Sequence, residues 1–311
     1  MKKMSELILK IVSRTILIVW ALTIIFPLVW MIYSSFKNNQ EFYASPWSLP
    51  GALRFENYVY AWEVSNFSKY FLNSFIVVVG SLILFALMTT TTSYIIAKYR
   101  FRGRKFIETF FMASMMIPAV LLLMPRYFHL LSLNLTDNLF ILMLIYAVGA
   151  VPGSVFLMVS FMRSVDNSFI EAAVMDGASE WTIFTKIMIP FTKPIIFLTC
   201  LRQIMGSWND FTTALTYIKN EDLYTVPVGL SYLTNSMTYH AEYGPMFAGL
   251  VLTMLPILIL YGIFQKQLIQ GTMASDGVKG QILDGGSSNE NEKKSQHIYY
   301  IDGLYHNRTI N

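Results

Sequence analysis

Little of the chemistry that marks an enzyme is present in this chain. One cysteine, Cys200, among 311 residues excludes an intrachain disulfide and a cysteine-based metal cluster. The four histidines, His129, His240, His297 and His306, are scattered, so no metal pair or Ser-His dyad is expected in the apolar part of the chain. Neither G-x-x-x-x-G-K-[ST] nor H-E-x-x-H occurs, which excludes a P-loop nucleotide site and a zinc-protease helix. Charge is also scarce. Charged residues make up 14% of the chain against 54% hydrophobic, and mean hydropathy is +0.48, whereas ordinary soluble domains carry about 25% charged residues. A soluble domain of this length is therefore excluded.

The apolar residues fall into membrane-length runs. Stretches with few or no charges are Thr15–Phe36, Tyr70–Ala97, Thr109–Pro125, Asn138–Met162, Pro194–Ile218 and Tyr243–Gln265. Six helices of about 20 residues each match a hydrocarbon core of about 30 Å, so the expected fold is all-α, a bundle of six transmembrane helices. The first run follows a basic start but lacks an A-x-A-like site and is long for a signal peptide, so it reads as a retained span. With the N-terminus placed inside, seventeen of the 23 Lys and Arg fall in inner segments and five in outer loops. That excess predicts cytoplasmic termini. The basic cluster Tyr99–Lys105 is explained by the same rule and calls for no nucleic-acid partner.

Residues 1–280 read as one helical domain, and residues 281–311 as a polar cytoplasmic tail that buries too little apolar surface to fold, with a short ordered patch possible at Ile298–Ile301. In the outer loop Lys37–Lys69, Pro46, Pro50 and Gly51 predict turns. In the outer loop Lys219–Glu242, Pro227 and Gly229 argue against one continuous helix. Pro118, Pro152 and Pro256 predict kinks inside spans.

Between the fourth and fifth runs lies SFIEAAVMDGASEWTIFTKIMIP, residues 168–190. Ser168 and Glu171 have capping-box spacing, Gly177 can end a helix in the left-handed conformation, and Ser179 can cap a second helix. That second helix is expected to end near Met188, because Pro190 discourages continuation. On local physics alone the segment reads equally well as a capped connector and as a docking element.

The fifth run carries Arg202, Gln203, Trp208, Asn209 and Asp210. Charge at membrane depth costs about 2.5–3.5 kcal/mol on insertion scales, so such residues face cavities or partners. Arg202 and Asp210 are separated by about 12 Å of rise and about 80° of rotation on a straight helix, too far for a direct ion pair. Arg202, Trp208, Asn209 and Asp210 are thus candidates for lining a polar translocation path. The alternatives are snorkelling to an interface, capping a helix break at Gly206, and, for Trp208, packing.

The 168–190 string resembles the EAA loop of ATP-binding-cassette (ABC) importer permeases: Glu171, Ala172, Ala173, Asp176, Gly177, Ala178, Ile187 and Pro190 fit its pattern, with Ile189 where leucine is usual. YRFRGR at Tyr99–Arg104, MMIPAVLLLMPRY at Met115–Tyr127, SWNDF at Ser207–Phe211, TVPVGL at Thr225–Leu230 and GVKG at Gly277–Gly280 follow in the order of the carbohydrate-type permeases, similar to the smaller, six-span subunit of maltose-type importers. The resemblance implies a type I ABC importer permease fold and a non-catalytic subunit moving a sugar or oligosaccharide by alternating access. It also implies a second homologous permease, two ABC ATPase copies holding ATP and Mg2+, and an extracytoplasmic sugar-binding protein. Glu171 through Gly177 would then contact the ATPase, and the Lys219–Glu242 loop the binding protein. Arg202 and Gln203 depart from a commonly apolar stretch. An importer for a non-sugar solute is the alternative, and a membrane enzyme or stand-alone channel is the third reading.

Overall fold

A computed structural model describes residues 2–64, 66–240 and 242–267 of the chain. Helices form nearly all of it, and no strand occurs among the described residues. In order they are α1 (Lys2–Ser34), α2 (Asn39–Ala44), α3 (Glu56–Val59, continued by a π turn over Tyr60–Val64), α4 (Phe67–Lys98), α5 (Arg104–Met115), α6 (Leu123–Ser132, preceded by a 3-10 turn over Ala119–Leu122) and α7 (Leu139–Ser164). Then come α8 (Ser168–Met175), α9 (Glu180–Thr182), a π turn over Ile183–Met188, α10 (Ile189–Asn209), α11 (Thr212–Tyr217) and α12 (Val226–His240), with α13 (Tyr243–Gln267) last.

Among the described residues five stretches are long and apolar enough to cross a membrane: Ile8–Ser34, Phe67–Lys98, Leu139–Ser164, Glu180–Asn209 and Tyr243–Gln267. The sixth expected span, 109–125, is not one helix. The chain breaks at Met116–Pro118 and turns by 90° between Arg104–Met115 and Ala119–Ser132. Pro118 lacks an amide to donate and disfavours helix at the residue before it, which accounts for a break where a kink was expected. Pro152, by contrast, is accommodated within α7, and α13 runs through Pro256. The apolar window of α1 is wholly unburied by the chain itself, with Ile16, Leu17 and Trp20 all more than 58% exposed. In water that surface would be unsupportable; in lipid it is the ordinary face of a span.

By packing, the chain divides into two compact units. The first comprises the residues up to Gly80 with Leu121–Leu144 and Met205–Gly262; the second comprises Ser81–Val120, Ile145–Ile204 and the residues from Ile263 on. In the first, Phe67, Tyr217, Val226, Val228, Leu233 and Ala248 are buried. Lys37 is buried beside them, its Nζ donating to the carbonyls of Ser45 (3.0 Å) and Pro46 (2.9 Å). Pro46 sits in a turn, Gly51 in a bend and Pro50 in irregular chain just before it, and short helices α2 and α3 flank them. A second expectation fails more clearly. Residues 226–240 form one helix despite Pro227 and Gly229. Pro227 stands in the first turn, where a missing amide costs nothing. The Val226 amide is satisfied by Ser74 Oγ at 2.8 Å. At Gly229 an added Cβ would lie 2.1 Å from the Tyr70 ring, so the glycine serves close packing and breaks nothing.

The second unit is built around Phe85, Tyr94, Ala147, Val155, Met158, Met162, Ile183, Phe184, Met188 and Ile195. Two buried hydroxyls on α10 turn back on their own helix: Thr192 Oγ1 donates to Met188 O at 2.6 Å and Thr199 Oγ1 to Ile195 O at 3.0 Å. This spares a free polar atom in an apolar core. The proposed tail 281–311, its patch Ile298–Ile301 and Gly277–Gly280 lie outside the described residues.

Candidate functional site

The 168–190 segment forms a helix, a tight reversal and a second helix, all within the second unit. Its N-terminus differs from the expected capping box. Ser168 is the first helical residue, Asn167 occupies the cap position without a side-chain cap bond, and the Ser168 amide donates to Asp166 Oδ1 at 2.9 Å. These hydrogen bonds from Ser168 hold the Asp166 carboxyl below its usual range. Glu171 is thereby released from capping. The local pattern S-x-x-E was ambiguous by two residues because Asp166 and Asn167 are equally competent caps.

The far end of α8 follows the sequence expectation. Gly177 takes φ +76°, the Ala178 amide donates to Ala173 O at 2.9 Å and the Gly177 amide to Val174 O at 3.0 Å. That pair of bonds is the Schellman closure, which needs a left-handed residue at this position. Ser179 then caps the second helix, its Oγ accepting from the Thr182 amide at 3.3 Å. This helix does not stop near Met188. It passes through a π turn at Ile183–Met188 into α10, the Ile189 amide reaching back to Phe184 O. The widened turn shifts the backbone register just ahead of the Pro190 ring, so the missing proline amide is absorbed without ending the helix.

Ala173 faces inward at 9% exposure and packs with Ile183, Phe184 and Met188, with Ala178 and Ile187 partly buried against the same cluster. Only a small side chain lets α8 lie this close. Outward, the tip is apolar: Met175 is 86% exposed and Val174 54%, with Glu171, Ala172 and Asp176 exposed on the same short stretch; Trp181, 70% exposed, and Pro190 are exposed further along the chain.

Two hydrogen-bonded contacts join the base of this element to the end of α4. Lys98 Nζ donates to Val165 O at 2.6 Å and to Asn167 Oδ1 at 2.9 Å. The Tyr99 hydroxyl donates to Glu180 Oε2. Burial, and then the Glu180 carboxylate as acceptor, push the Tyr99 phenol above its usual range, so it stays a donor at any physiological pH. Glu171 faces a hollow of about 220 Å³ shared with Lys98, Tyr99, Asn167 and Glu180. The basic turn is tied in as well: Arg104 Nη1 donates to Tyr99 O at 3.2 Å, its Nε to Glu108 Oε1 at 3.2 Å, and Arg163 also pairs with Glu108. Lys98, Tyr99, Glu108, Arg163 and Glu180 escaped the sequence reading. The Arg104–Glu108 spacing of four was visible; the other pairings join distant segments.

The candidates of the fifth run separate. Arg202 is exposed on α10 in the second unit; Trp208, Asn209 and Asp210 belong to the first. Trp208 is 6% exposed, donates Nε1 to Thr253 O at 3.2 Å and meets Phe71 edge to face at 5.6 Å. Asn209 is exposed, its Nδ2 donating to Met205 O at 2.9 Å. Asp210 caps α11: Oδ1 accepts from the Thr213 amide at 2.7 Å and Oδ2 from the Thr213 hydroxyl at 2.8 Å. The helix break thus falls at Asp210–Phe211, not at Gly206. Among the described residues no group of three His, Cys, Asp or Glu is placed to hold a metal ion.

Residues 89–273 match the family described as binding-protein-dependent transport system inner membrane component. The chain is 36% identical over 257 residues to the diacetylchitobiose uptake system permease protein NgcG of Streptomyces coelicolor, covering 83% of this chain and 85% of that one. It is 31% identical over 274 residues to the arabinooligosaccharides transport system permease protein AraQ of Halalkalibacterium halodurans, covering 84% and 96%. In fold it is similar to a chain of a bacterial ABC transporter involved in the import of the acidic polysaccharide alginate, with TM-score 0.74, 22% identity and coverage of 84% and 97%. With apolar spans, no strand among its described residues and a family match over more than half its length, the chain is a multi-pass membrane protein and belongs to the binding-protein-dependent transport system inner membrane components.

Proposed function

We propose that this chain is the non-catalytic permease subunit of an ABC importer that carries a sugar or oligosaccharide into the cell. The observation that carries the reading is the 168–190 element: an exposed apolar tip of Val174 and Met175, closed by Gly177 and fastened at its base to α4. Such a tip is what a groove on a soluble ATPase would receive, and fastened bases are what would pass its movement to a span. Of two ATPase copies, holding ATP and Mg2+, one would dock inside the cell at Glu171, Ala172, Asp176, Gly177 and Ala178, with the buried Ala173 seating α8 on its core and Ile187 and Pro190 carrying the motion into α10. A second homologous permease and an extracytoplasmic sugar-binding protein complete the assembly, and this chain itself holds no cofactor. The sugar assignment is supported by relatives named for diacetylchitobiose and arabinooligosaccharides. Arg202 and Asn209, both exposed, are the stronger path-lining candidates; Trp208 and Asp210 are occupied by packing and capping, and would border the path from there.

The test is co-purification with the permease and ATPase encoded beside it, followed by ATP turnover in nanodiscs and uptake of labelled oligosaccharides. Wild type is expected to assemble and couple. Glu171→Ala combined with Gly177→Pro, which cannot reach φ +76°, is expected to lose ATPase association. Unchanged association in that variant would reduce the segment to a capped connector.

A further inference from the structure

Two hollows adjoin where α4 ends. One, of about 550 Å³, is lined by Thr91, Tyr94, Ile95, Phe101, Trp181 and Phe184, with Tyr99 and Glu180 at its polar edge. The other, of about 390 Å³, is lined by Arg100, Gly103, Arg104, Lys105 and Phe106, and Phe101 borders both. Arg100, Arg102 and Lys105 are exposed, and among the described residues none of them has a carboxylate partner. The Glu180 carboxylate is engaged by Tyr99 and Glu108 by Arg104 and Arg163, which leaves Arg100 and Lys105 to meet an external anion. Because α4 is a span that ends at Lys98, the apolar hollow lies at the bilayer end and the basic one beyond it.

We propose that this pair of hollows binds an acidic phospholipid, with an acyl chain against Ile95, Trp181 and Phe184 and the phosphate at Arg100 and Lys105. An aromatic groove alone would accept any chain, and a basic loop alone any anion. Their junction through Phe101 selects a molecule that is both, and the anionic membrane lipids are that class. A lipid seated here touches Trp181 on the 168–190 element and Tyr94 and Ile95 on α4, so its headgroup chemistry can tune how the two move together. The inference rests on membrane embedding and not on the transported solute or on ATPase docking.

The experiment uses the assembled importer in nanodiscs of phosphatidylcholine doped with a minor fraction of brominated phosphatidylglycerol or brominated phosphatidylcholine, read by tryptophan quenching. Subtracting the Trp181→Phe variant isolates the Trp181 signal. Brominated phosphatidylglycerol is expected to quench Trp181 several-fold more than brominated phosphatidylcholine at the same fraction. Arg100→Gln with Lys105→Gln should remove that preference, by about fivefold in apparent affinity for each cation lost. Thr91→Trp, which fills the groove and leaves every charge in place, should remove it too. Equal quenching by the two lipids would mean a lipid-facing surface without headgroup selection, and no quenching by either would mean a groove covered by protein. Either result overturns the proposal.

Discussion

Gly177 and Gly229 are glycines for opposite reasons, and substitution separates them. At Gly177 a Cβ would meet nothing within 4 Å, yet φ is +76°; the penalty for alanine is therefore backbone strain alone, about 1 kcal/mol. Gly177→Ala is expected to lower hydrogen-exchange protection of the Gly177 and Ala178 amides by about fivefold, with Gly177→Asn closer to wild type. At Gly229 the backbone is helical and the obstacle is the Tyr70 ring, 2.1 Å from a Cβ. Overpacking of this kind costs about 1–3 kcal/mol. Gly229→Ala should lower the Tm of the purified complex, and a double-mutant cycle with Tyr70→Leu should show strong coupling between the two sites. Gly177 was legible because a left-handed helix end is written in a few consecutive residues. Gly229 was misread as a breaker, since its reason lies on α4 and leaves no mark nearby.

Among the elements, the reading held where periodicity and length decide and failed where a proline was judged by itself. Pro118 ends a helix, Pro152 sits inside one, Pro190 follows a π turn and Pro227 lies in a first turn. The ring is the same in each case; what differs is which carbonyl would have been its partner, and that is set by packing. The join between α4 and the 168–190 element was equally hidden, because Lys98 and Tyr99 look like ordinary flanking residues of a span. Tyr99→Phe keeps the ring contact with Tyr94 and deletes the bond to Glu180 together with the long hydroxyl contact to Tyr94 at 3.4 Å. Since Glu180 is exposed, water replaces the lost donor, and the stability cost should stay below about 1 kcal/mol. The expected outcome is normal assembly and ATP turnover with several-fold less solute moved per ATP. An unchanged ratio would show that the bond only holds the fold.

For the molecule as a whole, the orientation proposed from charge rests on seventeen of 23 Lys and Arg falling on the side assigned to the cell interior. That proposal would put the 168–190 element inside and α12 outside, within reach of the proposed ATPase and binding protein respectively. A single cysteine makes this directly measurable. In a Cys200→Ser background, Asn235→Cys probes α12 and Met175→Cys the apolar tip, both at exposed positions. A membrane-impermeant maleimide added to intact cells should label Asn235→Cys and leave Met175→Cys untouched. After the membrane is opened, Met175→Cys should label readily when the chain is made without its ATPase and poorly when the ATPase is present. Labelling of Met175→Cys in intact cells would reverse the topology and remove the physical basis for docking. Labelling after opening that ignores the ATPase would keep the topology and assign the exposed tip to another partner.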